Sequence, residues 1–187
     1  MIWRYLIEGP WIVFGGYWVA SALKTRKTVS QESLASRCLF LFLEVFGFVL
    51  LFTGIGNIGV LGHLVVPRTN AMAVTGVALT WIGLAIALWA RWHLGQYWSA
   101  KIALKEDHKL IRTGPYAHIR HPIYSGIIAA ALGGAMAIDK WRCVVGVGLI
   151  VLGYWLKARK EESLLAAQFG EAFKGHCRET GFLLPKF

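Results

Sequence analysis

Five long runs of apolar residues, almost free of charges, limit what this chain can fold into more than any other feature of the sequence. They occupy residues 9–23, 38–61, 71–92, 122–138 and 141–156. A helix needs roughly 20 apolar residues to cross a bilayer, and a backbone in hydrocarbon must satisfy its own hydrogen bonds. The alternating pattern of a membrane barrel is absent. The sequence therefore predicts an all-α polytopic membrane protein with five transmembrane helices.

The excess of basic residues predicts the orientation of these helices. The net charge is +10, and five spans would place sixteen of the 20 Lys and Arg residues on one face and four on the other. Basic residues accumulate on the cytoplasmic side of membrane proteins. We therefore expect the N-terminus outside and the C-terminus in the cytoplasm. The bilayer is the partner that this charge predicts, and nucleic acid is not, because no recognition motif accompanies the charge.

The spans fit a single membrane domain, 1–187, with two functional halves. Residues 1–92 are mostly spanning helices, whereas 93–187 alternate between membrane and cytoplasmic chain. The fourth and fifth runs predict a helical hairpin with a tight outer turn. Its glycines would let the two hairpin helices approach each other; they are Gly126, Gly133, Gly134, Gly146, Gly148 and Gly153. We expect the fifth helix to continue beyond Leu156 as an amphipathic helix with Leu164, Leu165, Phe169 and Phe173 on one face.

Three minor features have structural explanations as well as functional ones. Residues 54–59 match the GxGxxG pattern of dinucleotide-binding folds, but no strand precedes them, so helix packing through small residues is the preferred interpretation. Glu44 lies within the second run, where a carboxylate is either functional or close enough to the surface to snorkel. His118 and His121 have a metal-ligand spacing but no suitable third ligand nearby, so no metal site is predicted.

Two polar segments are stronger candidates for a binding site. In the sequence RHPIY at 120–124, Pro122 suits the first turn of a helix, whose N-terminus attracts carboxylates and phosphates. A basic cluster at the bilayer surface explains the segment equally well. Glu161 and Glu162 follow the fifth run among basic residues. They form either a solvated salt-bridge cluster or a carboxylate pair that holds a ligand's ammonium or hydroxyl groups.

These segments also occur together in one order. HKLI at 108–111, TGPY at 113–116, RHPIY at 120–124, the pair Glu161–Glu162 and FG at 169–170 together resemble the catalytic half of the isoprenylcysteine carboxyl methyltransferase and phospholipid methyltransferase superfamily. The resemblance covers about 95–187. It implies a membrane fold with S-adenosylmethionine bound in a cytoplasmic pocket formed by the final hairpin and its flanking loops, with S-adenosylhomocysteine as the product.

The resemblance also implies roles for individual residues. The cofactor would be bound by Lys101, His108, Lys109, Leu110, Ile111, Tyr116, Arg120, His121, Pro122, Ile123, Tyr124, Glu161 and Glu162. A lipophilic acceptor would enter from the bilayer and meet the cofactor near Tyr124, where Lys157 or Arg159 would hold an anionic acceptor. The sequence departs from the family at two positions. Lys157 replaces an Arg that recognises the prenylcysteine carboxylate, and Lys101 aligns with a Gln.

Three functions compete at this point. The first is an S-adenosylmethionine-dependent methyltransferase acting on a lipophile, similar to protein-S-isoprenylcysteine O-methyltransferase; a phospholipid amine or a small thiol are other possible acceptors. The second is a non-catalytic membrane protein that keeps the fold. The third is a reductase with a nicotinamide cofactor, against which the short chain argues.

Overall fold

The computed structural model is built from apolar helices and one small sheet. It describes residues 2–22, 28–31, 33–67, 69–98, 103–105 and 110–186. Its elements are α1 (Ile2–Ala22), β1 (Thr28–Gln31), α2 (Leu34–Phe52), α3 (Asn70–Leu94), β2 (Ala103–Lys105), α4 (Pro122–Ile138), α5 (Trp141–Phe169) and α6 (Glu171–Glu179). Single 3₁₀ turns occupy 59–62, 95–97 and 114–117. The two strands pair antiparallel, and helices dominate the part of the chain that is described, as the sequence predicts.

Three helices are both long and apolar enough to cross a membrane within the described ranges: α2, the helix that begins at Asn70 and α5. The apolar helix α4 is shorter, with 17 residues. The prediction that the second span reaches residue 61 is wrong, because α2 ends at Phe52 and Thr53 caps it in an extended conformation. Residues 54–59 therefore lie in a loop. Gly54 and Gly59 have no atom within 4 Å of the place where a Cβ would stand, so these two positions do not support the helix-packing interpretation of this segment.

Reciprocal glycine contacts hold the helices together in two pairs. A Cβ on Gly83 would lie 2.5 Å from the Gly126 carbonyl oxygen, and one on Gly126 would lie 2.5 Å from the Gly83 oxygen. Gly76 and Gly133 repeat this contact one heptad away, so α3 packs directly on the α4 backbone. Small residues allow this approach without any hydrophobic driving force between helices in lipid.

The second pair consists of α2 and α5. A Cβ on Gly47 would lie 2.6 Å from the Gly146 oxygen, and the reverse contact has the same length. Gly153 also faces α2, whereas a Cβ on Gly148 would meet nothing. The expectation that these glycines bring α4 and α5 together is therefore wrong. Each hairpin helix uses its glycines against a helix from the N-terminal half, because neighbours along the chain need not be packing partners.

The two ends of the helical body have different chemistry. At one end the buried Arg142 donates hydrogen bonds from Nη1 to the carbonyl oxygens of Leu50 and Leu51, which are acceptors left open at the end of α2. Lys140 Nζ donates to Asn57 Oδ1 at 2.9 Å beside this contact. The opposite end contains the start of α4 and the second half of α5.

The helix α5 continues well beyond its apolar run, to Phe169, as expected from the sequence. The expected amphipathic helix does not run unbroken as far as Phe173, because Gly170 adopts a positive φ of 50° and ends α5. The short helix α6 then turns back, and its Phe173 and His176 are buried. This reversal returns the chain to the start of α4.

Candidate functional site

The start of α4 is fixed by backbone contacts with residues 180–183. Arg120 N donates to Gly181 O at 2.9 Å, and His121 N donates to Phe182 O at 3.3 Å. Ser125 Oγ adds a 2.6 Å bond to the carbonyl oxygen of Leu183. The helix begins at Pro122, as predicted. A backbone N–H at the first helical position would have no acceptor within the helix, and proline has no such N–H. The RHPIY segment is therefore held in one conformation by the chain that follows α6.

The carboxylates of α5 reach across to this helix start. Tyr124 Oη donates to Glu161 Oε2 at 3.0 Å. The ring of His121 lies between the two acidic side chains, with Nδ1 3.6 Å from Glu161 Oε2 and Nε2 3.3 Å from Glu162 Oε1. Arg120 Nε completes the set with a 2.6 Å ion pair to Glu162 Oε1. We call these five residues, Arg120, His121, Tyr124, Glu161 and Glu162, the carboxylate cluster.

Arg120 also ties the cluster to the end of α6. Its Nη1 donates to the carbonyl oxygens of Thr180 at 2.5 Å and Cys177 at 3.4 Å. Its guanidinium lies over the Phe182 ring, 5.6 Å from the centroid. Because the planar guanidinium engages a carboxylate and two carbonyls at once, it fixes the position of Glu162. The structure thus joins α4, α5 and the chain after α6 at one place.

The two carboxylates raise the pKa of His121. Burial disfavours the charged ring and by itself lowers its pKa, but the hydrogen bonds and negative charges of Glu161 and Glu162 outweigh burial and raise the pKa above its ordinary value. Both ring nitrogens face acidic oxygens, an arrangement that suits the doubly protonated ring. The cluster therefore favours a histidinium clamped between two carboxylates.

A cavity of about 430 Å³ adjoins the cluster between α1, α2, α4 and α5. Most of its wall is aromatic, with contributions from Trp11, Phe14, Trp18, Phe48, Phe52, Trp98, Tyr124 and Tyr154. Pockets of this size and composition bind small organic molecules. Tyr124 belongs to both sites, because it lines the cavity and its hydroxyl contacts Glu161. The structure therefore places an apolar cavity directly beside a polar cluster.

Among the described residues, the charged side chains Glu44 and Lys157 line this cavity. Lys157 Nζ lies 3.4 Å from Glu44 Oε1, and both side chains are largely buried. Lys157 Nζ also lies 5.7 Å from the centroids of the Tyr124 and Tyr154 rings. Glu44 is therefore turned inward, and the snorkelling explanation for it does not hold. That Glu44 would meet Lys157 was not predicted, because nothing in the sequence shows that α2 packs on α5.

The remaining predicted residues differ in their distance from the cluster. Pro122 and Ile123 are buried in the first turn of α4. Tyr116 is buried below them, where its hydroxyl donates to the Ala90 carbonyl at 3.4 Å. Ile111 packs against the same core, and Leu110 is half-buried.

Four predicted residues are not brought to the cluster by the described structure. Arg159 is exposed, and its guanidinium lies 5.8 Å from the ring centroid of Trp155 rather than beside the cavity. Lys101, His108 and Lys109 lie outside the described residues. In the part of the chain that is described, no group of three or more His, Cys, Asp and Glu side chains is arranged to hold a metal.

Comparison with known proteins identifies a family model that matches part of this chain. Residues 75–167, about half of the chain, match the family model of isoprenylcysteine carboxyl methyltransferases. The matched segment contains α4, most of α3 and all but the end of α5, and it includes the whole carboxylate cluster.

Three curated relatives match parts of the chain. A protein-S-isoprenylcysteine O-methyltransferase of Schizosaccharomyces pombe is 29% identical over 49% of this chain and 40% of its own length. An uncharacterized protein of Haemophilus influenzae is 24% identical over 54% of this chain and 59% of its own. The uncharacterized protein YpbQ of Bacillus subtilis is 33% identical over 28% of this chain and 36% of its own. In each case the match covers less than two thirds of the relative.

Proposed function

Because this chain belongs to the isoprenylcysteine carboxyl methyltransferase family, we propose that it is an integral membrane methyltransferase that uses S-adenosylmethionine to methylate a lipophilic acceptor. The observation that supports this most directly is the position of Tyr124, which lies between an aromatic cavity within the helices and the carboxylate cluster. A reaction between a water-soluble donor and a membrane-dissolved acceptor needs two such sites in contact.

The residues of the cluster fit the polar groups of this cofactor. When bound, S-adenosylmethionine supplies an electrophilic methyl group on a sulfonium sulfur. Glu161 and Glu162 are acceptors for its ammonium and ribose hydroxyl groups, and they attract its positive charge. The N-terminus of α4 is suited to its carboxylate, and Arg120 would hold Glu162 in place for this binding. Tyr116 and Ile111 would line the apolar side of the same site.

The remaining contribution of the chain is positioning. Methyl transfer to a carboxylate, a thiolate or a neutral amine needs an acceptor atom that is held in line with the donor and shielded from water. Tyr124 and His121 hold Glu161 in place, and the aromatic wall of the cavity keeps water from the acceptor. The Tyr124 ring lies at the boundary of the two sites, so both the cofactor and the acceptor would contact it.

Binding of S-adenosylhomocysteine tests the cofactor site without requiring the acceptor. Isothermal titration of the purified protein in detergent should show binding, and Glu161→Gln should weaken it by about tenfold or more, because a hydrogen bond to a charged group is lost. Glu171→Gln is the matched control, since Glu171 is an exposed glutamate paired with Lys174 on α6. Absence of binding to the wild-type protein, or equal losses in the two variants, would contradict the proposal.

Catalysis is tested by incubating the protein with methyl-labelled S-adenosylmethionine and host membrane lipids. A labelled product in the lipid or protein extract, absent with Glu161→Gln, is expected. Binding of the cofactor without transfer to any component would instead favour a non-catalytic role for the fold.

A further inference from the structure

The cavity beside Tyr124 has a mostly aromatic wall, but the wall also contains an ion pair. The charged residues that line it in the described part of the chain, Glu44 from α2 and Lys157 from α5, form an ion pair with Nζ and Oε1 3.4 Å apart. The side chains are only 11–12% exposed, so water screens these two charges weakly. Among the described residues, the opposite charges of Glu44 and Lys157 offset each other. Lys157, whose ammonium lies near the Tyr124 and Tyr154 rings in the cavity wall, thus already has a carboxylate partner.

An acidic acceptor would meet an unfavourable field at this pair. A carboxylate that approaches Lys157 must displace Glu44 or lie beside it, and two carboxylates repel each other strongly where little water screens them. A neutral head group meets neither obstacle, and it can still accept a hydrogen bond from the ammonium. The aromatic side chains around the pair suit the apolar part of either ligand equally, so among the described lining residues it is the pair that discriminates between the two ligands.

We propose that the Glu44–Lys157 ion pair is a specificity determinant that makes the cavity select lipophilic acceptors with an uncharged head group and reject carboxylates. This inference rests on the function proposed above, because it assigns the substrate class of the same acceptor cavity. It assigns Glu44 the role of a positioning residue, which acts by holding the charge of Lys157 rather than by touching the transferred group.

Two probes that differ only in charge test the selection. N-acetyl-S-farnesylcysteine presents a carboxylate on a C15 tail, and its carboxamide presents a neutral group of the same shape. Their dissociation constants are measured on the full chain in detergent saturated with S-adenosylhomocysteine. The wild-type protein should bind the carboxamide about tenfold more tightly or better. Glu44→Gln, which frees the charge of Lys157, should reverse this preference.

Two further variants separate charge from folding. The double variant Glu44→Gln/Lys157→Met removes both charges and keeps the volume, so it should bind the carboxamide as the wild-type protein does. Glu171→Gln removes a negative charge remote from the cavity and should leave the preference unchanged. Equal affinity of the wild-type protein for both probes, or an unchanged preference in a Glu44→Gln variant that still binds S-adenosylhomocysteine, would overturn the inference. If the wild-type protein does not bind S-adenosylhomocysteine, the result would instead overturn the proposed function.

Discussion

His121 shows how a single side chain can connect two helices and set their electrostatics. Its ring stacks on Tyr124 with the centroids 5.5 Å apart and meets Phe182 edge-on at 5.2 Å. Its two nitrogens face one glutamate each on α5. Because the ring is almost completely shielded from solvent, these contacts are only weakly screened by salt. The stability of the α4–α5 contact should therefore follow the charge of this ring.

The raised pKa of His121 predicts a pH dependence of stability. A group whose pKa is higher in the folded state than in the unfolded state contributes stability that is fully present below the unfolded value, here 6.5, and is lost as the pH rises through the folded value. Thermal unfolding in detergent should show the largest advantage of the wild-type protein over His121→Gln below pH 6.5. The difference should shrink as the pH is raised.

His118→Gln is the control for this measurement, because His118 is exposed beside the same segment. It should leave the pH profile unchanged. A difference between wild-type protein and His121→Gln that grows with increasing pH would show that the ring is buried in its neutral form.

At the level of single residues, the sequence predicts the groups of the cluster but not all of their partners. Pro122 identifies the helix start and Glu161 follows a recognisable apolar run, so both could be named. The contacts with Gly181 and Phe182 depend on how α6 reverses the chain, and that reversal follows from the conformation of Gly170. The Glu44–Lys157 pair joins residues 113 positions apart in the chain, and local patterns say nothing about such contacts.

Among the elements, the glycine pairs bring the backbones of neighbouring helices into direct contact. The α3–α4 pair uses Gly76 with Gly133 and Gly83 with Gly126, so both helices carry glycine at a spacing of seven residues. Thr80 lies between these contacts, and its Oγ1 donates across the interface to the Ala130 carbonyl at 3.2 Å. These contacts fix the position of α4 along α3, and therefore also the position of Tyr124, which lies on α4.

Gly126→Ala should therefore destabilise the protein. The new Cβ would stand 2.5 Å from the Gly83 carbonyl oxygen and 2.7 Å from Ala87 N, which are backbone atoms that cannot rotate away. Overpacking of this kind costs about 1–3 kcal/mol, equivalent to a fall in melting temperature of roughly 2–4 °C per kcal/mol for a chain of this size. Thermal unfolding in detergent measures the change.

Gly148→Ala on α5 is the matched control, because a Cβ there meets no atom within 4 Å. Alanine is favoured over glycine in a helix by roughly 1 kcal/mol, so this variant should be at least as stable as the wild-type protein. Similar destabilisation by both substitutions would show that the α3–α4 contact is looser than described.

The apolar runs predict the existence of the helices better than their ends. The start of α4 at Pro122 and the continuation of α5 past Leu156 are confirmed, because proline and a change from apolar to amphipathic sequence are local signals. The end of α2 is missed because residues 54–61 are apolar yet irregular. Glycine spacing predicts close helix contacts correctly, but it does not identify which helix supplies the partner.

At the scale of the whole molecule, the predicted orientation in the membrane can be tested, because the two ends of the helical body contain different residues. The loop after α2 and the turn between α4 and α5 meet at one end, where Trp141 N donates to His63 O at 3.3 Å. The carboxylate cluster lies at the other. With sixteen of the 20 basic residues expected on the cluster side, we expect that side to face the cytoplasm.

Cysteine labelling of intact cells distinguishes the two orientations. In a variant in which Cys38, Cys143 and Cys177 are replaced, Lys140→Cys should react with a membrane-impermeant maleimide. Glu179→Cys, at the end of α6, should react only after the membrane is permeabilised. The reverse pattern would place the carboxylate cluster outside the cell and exclude access to a cytoplasmic cofactor.

The backbone bonds from residues 181–182 to Arg120 and His121 have a consequence for biogenesis. Residues 180–183 are made after the whole of α4 and α5, so the start of α4 leaves the ribosome before its backbone partners exist. The helix α4 can therefore reach the insertion machinery while its first residues are still unpaired. Assembly of the carboxylate cluster would then be a later event than the entry of α4 into the membrane, and it would wait for the last residues of the chain to fold back.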